Sequence, residues 1–144
     1  MWRALTDSAE LGAWFGMKVE GPFVAGKPVR ATIVPTRADA EVAKLQKEHA
    51  GLAFELLVER MDAERQFAFR WHPHAVERAA DYSAEPTTLV TFDLAEAPGG
   101  ILLTVTESGF DRIPLERRAK AFAANEQGWG MVVPLLEKHL VQTG

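Results

Sequence analysis

Hydrophobic positions in the last thirty residues recur at alternating spacings of four and three, which is typical of an α-helix. The spacing predicts one long amphipathic helix over residues 114–140, with a polar face that includes Arg117 and Lys120. Pro134 falls inside this helix and removes one backbone donor, so we expect a bend between Gly130 and Pro134. The predicted inner stripe is Leu115, Ala119, Phe122, Glu126, Trp129, Val133, Leu136 and Leu140.

Most of the chain before this helix alternates between apolar and polar positions, which is typical of β-strands. Turn-forming residues interrupt the alternation at 25–27, 62–64 and 98–100, and we interpret each as a hairpin turn. The pattern therefore predicts strands at residues 17–24, 29–34, 52–60, 66–72, 87–94 and 101–108.

Two other segments favour helix. Asp7, followed by Glu10 three residues later, indicates a helix start, and Gly16 is placed to end that helix. Residues 36–50 predict a short surface helix or an ordered loop. This segment could be a lid over one end of a pocket, but a plain insertion is the favoured interpretation. Residues 73–86 lack periodicity and predict a long irregular connection.

The predicted order is thus a short helix, at least six antiparallel strands and a long C-terminal helix. Strands joined by short turns form a meander, and a sheet with one apolar face needs a layer that covers it. The sequence predicts a single α+β domain over residues 1–144, in which a curved antiparallel sheet wraps around the long helix.

Composition excludes several classes of function. The net charge is −4 with both signs interspersed, which lacks the basic footprint of a nucleic-acid binder. The chain has no cysteine, which excludes disulfides, thiol catalysis and Cys-ligated metal sites. No apolar run approaches the ~20 residues of a membrane span. We therefore expect a cytoplasmic protein without nucleic-acid or membrane partners.

Four groups of residues carry a further signal, namely 2–7 with 14–16, 69–71, 104–110 and 128–129. In their order and spacing they resemble the family named after the C-terminal domain of the activator of heat-shock-protein-90 ATPase. This family is similar to START and birch-pollen-allergen domains, the helix-grip or SRPBCC superfamily. The resemblance implies a curved sheet that grips the long helix, with an apolar cavity between them. Members usually begin with a further strand, so the natural start is expected upstream of Met1.

Polar residues do not form a complete catalytic or metal-binding set. His72 and His74 lie two apart at a strand end, whereas a zinc site needs three or four donors. In the irregular segment, Tyr82 is a candidate for orienting a polar ligand and Glu85 is a candidate general base. The favoured interpretation is a loop held in place by side-chain hydrogen bonds. Ser108 lacks the glycine pattern of a hydrolase nucleophile. We expect no catalytic residue, metal or cofactor.

Aromatic residues are the most informative about function. At least half of them are expected to fill the core. Because a helix-grip shape usually leaves a concavity, we predict that a small hydrophobic or aromatic molecule binds between sheet and helix. An aromatase/cyclase-like enzyme and a stress-related interaction module with a chaperone partner are the alternatives, and an enzyme is not favoured. The predicted lining is Trp14, Phe54, Phe67, Phe69, Trp71, Phe92, Phe110, Phe122, Trp129 and Val133, with Arg70, His72 and Tyr82 at a polar rim.

Overall fold

The structure, a computed structural model, describes residues 1–72 and 85–143. Its helices are α1 (Trp2–Thr6), α2 (Ser8–Phe15), α3 (Ala40–Lys47) and α4 (Leu115–Thr143), with a 3-10 turn at Phe110–Arg112. Its strands are β1 (Met17–Val19), β2 (Pro28–Ile33), β3 (Ala53–Asp62), β4 (Gln66–Trp71), β5 (Thr88–Ala97) and β6 (Gly100–Ser108).

The strands form one antiparallel meander in the order β1-β2-β3-β4-β5-β6, with β1 and β6 at its edges. The sheet curls into a half-barrel, and the predicted α+β helix-grip architecture is confirmed. Left-handed backbone at Glu64 and Gly99 marks the hairpin turns predicted at 62–64 and 98–100. The turn predicted at 25–27, with Gly26 at positive φ, is instead the last part of a connection over residues 20–27. The strand predicted over residues 17–24 is shorter than expected and ends at Val19, before Gly21 and Pro22.

Inward-facing positions of the three central strands form the core. Alternate residues of β3, β4 and β5 point to the same face, as the period of a strand requires. The short N-terminal helices and the C-terminal half of α4 cover this face. The side chains that meet there are Leu5, Leu11, Trp14, Leu56, Val58, Phe67, Phe69, Val90, Phe92, Leu135 and Leu136.

The start and end predicted for the second helix are confirmed. The Asp7 carboxylate accepts a hydrogen bond from the backbone N–H of Glu10 at 3.0 Å, which satisfies a donor that the helix leaves free. Gly16 ends α2 with a φ of 104°, a conformation that costs glycine little. Gly12 allows close approach to β1, because a Cβ there would lie 2.3 Å from the carbonyl oxygen of Met17.

Residues 40–47 form a helix within the segment predicted as helix or loop. Asp39 caps α3 by accepting from the backbone N–H groups of Glu41 and Val42 at 2.8 and 3.1 Å. The Gln46 amide donates to the carbonyl oxygen of Phe15 and accepts from the N–H of Thr36, which ties α3 to the end of α2. The interpretation of this segment as a plain insertion, favoured over a lid, stays a prediction.

The inner stripe predicted for the long helix is wrong in its first half. Leu115 is 76% exposed and Phe122 is 51% exposed, and Ala119 and Glu126 are exposed too. Ala121 is fully buried instead, so the buried face is turned by about one residue. The predicted positions from Trp129 onward are partly or fully buried, because only this half of α4 packs against the core.

A polar contact also joins α2 to α4. The Glu10 carboxylate lies 3.0 Å from Nε2 of His139, a largely buried residue of α4, and 2.9 Å from Nε of Arg3. The hydrogen bond with His139 is the largest cause that lowers the pKa of Glu10 below its ordinary value, and Arg3 adds to it. Two ends of the chain are thereby held together by one carboxylate.

Candidate functional site

A cleft of about 150 Å³ lies between the end of α2, the end of β4 and the middle of α4. Three aromatic rings dominate its wall, since the ring centroid of Phe15 lies 6.1 Å from that of Trp71 and 5.8 Å from that of Trp129. The centroids of Trp71 and Trp129 are 5.8 Å apart. The lining residues are Phe15, Trp71, Asn125, Gly128, Trp129 and Val132.

Glu107 of β6 accepts hydrogen bonds from the residues of this wall, although it does not line the cleft itself. Its Oε2 accepts hydrogen bonds from Nε1 of Trp71 at 2.8 Å and from Oγ1 of Thr88 at 2.5 Å. Its Oε1 accepts from Nε1 of Trp129 and from Nδ2 of Asn125, both at 2.9 Å. One carboxylate therefore fixes the edges of both indoles and connects β4, β5, β6 and α4.

The charge of Glu107 meets no opposite charge among the described residues, since none of their ion pairs includes it. All four donors are neutral groups, and all the hydrogen bonds run toward the carboxylate. An ionised carboxylate offers about four lone-pair sites, so four donors use its capacity fully. Its hydrogen bonds orient the indoles, and among the described residues its negative charge has neutral hydrogen-bond donors as its partners.

The position of Glu107 follows from the period of β6. Leu103, Val105 and Glu107 share one face of the strand, and the first two pack against the core. Pairing with β5 places Glu107 opposite Val90, one of the fully buried residues. A charged residue at an inward position is costly without partners, which Thr88, Asn125 and the two indoles provide.

The chain matches a known protein family over almost all of its length. Residues 1–141 match the profile of the family described as Activator of Hsp90 ATPase homolog 1-like protein. The chain belongs to this family. The resemblance inferred from the sequence is confirmed, and the family has a fold that commonly binds hydrophobic ligands. No protein with a curated description matches the chain.

Solved structures show the same fold at low identity. Protein MLL2253 from Mesorhizobium loti is 23% identical, with a TM-score of 0.68 over 99% of this chain and 88% of its own. DynU16, from the dynemicin biosynthetic locus, is 22% identical, with a TM-score of 0.62 over 96% of this chain. The chain spans 41% of the length of DynU16. CalU16 from Micromonospora echinospora is 14% identical, with a TM-score of 0.53 over 98% of this chain and 69% of its own.

In this Activator of Hsp90 ATPase homolog 1-like chain, the predicted lining residues fall into several places. Trp71 and Trp129 line the cleft. Phe54 and Val133 are half-buried, and Phe54 contacts Trp71 with 6.4 Å between ring centroids. Phe110 and Phe122 contact each other, with centroids 5.2 Å apart, and neither lines the cleft. The remaining four predicted residues belong to the buried core, namely Trp14, Phe67, Phe69 and Phe92.

The predicted polar rim is divided as well. Arg70 forms an ion pair with Glu59 at 2.8 Å, on the strand face opposite to Trp71. His72 Nε2 lies 3.0 Å from the carbonyl oxygen of Glu85. Tyr82 lies outside the described residues, so its role at the rim stays a prediction.

The sequence analysis missed four lining residues, Phe15, Asn125, Gly128 and Val132, and also Glu107 behind the wall. The alternation Leu103-Val105-Glu107 was the signal for Glu107, because it places a carboxylate on the apolar face of a strand. The stripe assumed for α4 excluded Asn125, since it placed the buried face one residue away.

A larger concavity of about 1350 Å³ opens at the other end of the sheet, near the β3–β4 turn. Its lining includes Arg60, Asp62, Glu64, Arg65 and Asp93, all of them charged. Such a surface suits water better than an apolar ligand. In the described part of the chain, no helix combines the length and hydropathy that a membrane crossing requires. The same residues offer no group of three His, Asp or Glu side chains placed to hold a metal ion.

Proposed function

We propose that the protein binds a small hydrophobic or aromatic molecule non-covalently, with an apolar group of that molecule in the cleft. The observation that carries the proposal is the partial exposure of Phe15, Trp71 and Trp129 next to an aromatic core that is fully buried at Trp14, Phe67, Phe69 and Phe92. Aromatic side chains are large apolar surfaces, and covering them with a ligand removes that surface from water.

The size of the cleft limits what it holds. Pockets for drug-sized ligands enclose roughly 300–1,000 Å³, whereas this cleft measures about 150 Å³. One ring or one branched alkyl group would fill it, and the rest of a longer molecule would remain outside. The six lining residues carry no titratable side chain, so the described site favours binding over a cyclase-like reaction.

Gly128 offers a direct test, because a Cβ at this position would meet nothing within 4 Å. Gly128→Leu should fill the cleft and abolish binding, and replacing a helical glycine should also raise stability by up to about 1 kcal/mol. The matched control is Gly130→Leu in the same helix, where the space is equally open but outside the cleft lining.

Binding would be followed by amide and indole N–H shifts in two-dimensional NMR, during titration with indole, naphthalene and medium-chain fatty acids. We expect saturable shifts of the Trp71 and Trp129 indole signals in the parent protein and in the control variant Gly130→Leu, and no such shifts in Gly128→Leu. Equal affinity in Gly128→Leu, or no shifts with any compound, would show that the cleft is not the binding site.

A further inference from the structure

The electrostatics of the cleft indicate the charge of its ligand. Glu107 hydrogen-bonds three of the six lining residues, Trp71, Asn125 and Trp129. Its negative charge has no cationic partner among the described residues. Water screens a half-buried charge less than an exposed one, so this charge acts on whatever occupies the cleft.

The aromatic wall adds attraction of the same sign. A cation within about 6 Å of an aromatic centroid is attracted by the negative face of the ring, most strongly by tryptophan. Phe15, Trp71 and Trp129 have mutual centroid distances of 5.8 to 6.1 Å. A group in the cleft therefore lies within reach of more than one ring.

The supply of hydrogen-bond acceptors determines which cation fits. The lone pairs of Glu107 are occupied by its four donors. Asn125 turns its amide nitrogen to Glu107, which leaves its carbonyl oxygen as the side-chain acceptor of the cleft lining. A primary ammonium carries three N–H donors and would leave most of them unpaired, whereas a methylated ammonium presents apolar methyl groups.

We propose that the cleft binds an organic cation of the methylated ammonium class, with its methyl groups against the wall that the three contacting rings form and with Glu107 supplying the charge on the far side of that wall. This rests on the proposed function, because it assigns a ligand class to the same cleft. The cation and the apolar ligand proposed above would both place a small apolar group against the aromatic rings of the cleft.

Choline and 3,3-dimethyl-1-butanol test the proposal, because the two molecules have nearly the same shape and only choline is charged. We expect choline to bind the parent protein at least about tenfold more tightly, measured from the indole N–H shifts of Trp71 and Trp129. A tenfold difference lies within the range known for cation–π contacts together with a nearby charge.

Glu107→Gln removes the charge but turns an amide N–H2 group toward donors that the carboxylate had accepted from. It should lower choline affinity to that of the neutral alcohol, and the affinity of the alcohol for the same variant should equal its affinity for the parent, which shows that the indoles have kept their places. Glu59→Gln is the matched control, because it removes the same charge from the opposite sheet face and should leave choline affinity unchanged. Circular dichroism checks that each variant is folded. If Glu107→Gln does not fold, the comparison of the two compounds on the parent protein decides alone.

Equal or tighter binding of the neutral alcohol would overturn the cation proposal and leave apolar binding intact. Absence of binding by both compounds would also overturn it. In that case, neutral aromatic compounds that bind the parent but not Gly128→Leu would still support the proposed function, so the two failures are distinguishable.

Discussion

At the scale of single residues, Glu107 has the most consequences. Four neutral donors from β4, β5 and α4 converge on one side chain, and among them Thr88 is fully buried. A hydrogen bond to a charged group contributes more to stability than one between neutral groups. The cleft wall should therefore depend also on Thr88, the one of these four donors that does not line the cleft.

Thr88→Val tests this dependence, because valine keeps the shape of threonine and removes the hydroxyl donor. We expect a loss of about 1.5–3 kcal/mol in the free energy of unfolding, as is typical of bonds to charged groups. Urea denaturation measures it. Thr104→Val, at an exposed position of β6, is the control and should change stability by no more than about 0.5 kcal/mol. Similar values for both variants would mean that the Thr88 hydroxyl contributes little.

At the scale of elements, the contact between α2 and α4 contributes to the response of the fold to acid. Glu10 has a lowered pKa, chiefly through its hydrogen bond with His139. A carboxylate with a lowered folded-state pKa stabilises the fold above its unfolded-state pKa of about 4.3. That stabilisation is lost as the pH falls through the folded-state pKa, because the unfolded chain then binds the proton more readily.

Glu10→Gln should consequently flatten the decline in stability below about pH 4.5 and lower the stability at neutral pH. Melting temperatures measured between pH 3 and pH 7 give both effects. Glu126→Gln makes the same change of charge at an exposed site on α4 and should leave the shape of the curve unaltered. A parallel shift of the whole curve in Glu10→Gln would contradict the assignment to Glu10.

The strands and their turns could be predicted from the sequence because their signals are local. Alternation over β3, β4 and β5 fixes which side chains are buried, as Leu56, Phe67 and Phe92 show. The first half of α4 could not be predicted, since alanines at 119, 121, 123 and 124 favour no particular face. In the structure this half is joined to the sheet by Asn125, whose partner Glu107 lies 18 residues earlier on another element.

At the scale of the whole molecule, the meander leaves two unequal edges. β1 has three residues, whereas β6 has nine, and Ile101 and Leu102 on β6 are 52% and 57% exposed. An edge strand with exposed apolar residues is a site where another chain can pair. The candidate site could be predicted in part, since Trp71 and Trp129 were expected to line it, whereas the place of Phe15 beside them depends on how α2, β4 and α4 are assembled.

We expect the parent chain to associate through β6 at high concentration and Leu102→Lys to associate less, because a lysine on an edge strand opposes pairing with a second strand. Its effect on the free energy of unfolding should stay within about 0.5 kcal/mol, as for other exposed positions. Light scattering over a range of protein concentrations measures the association. Unchanged scattering would mean that the β6 edge does not take part in it.

The arrangement of Trp71 and Trp129 also has an optical consequence. Their centroids are 5.8 Å apart and their planes are inclined by 30°, which is close enough for the excited states of the two indoles to couple. Coupled chromophores give paired circular-dichroism bands whose sign and size follow the mutual orientation of the rings. A molecule that separates or rotates these rings would change those bands, so the unlabelled protein reports the state of its own cleft in ultraviolet light.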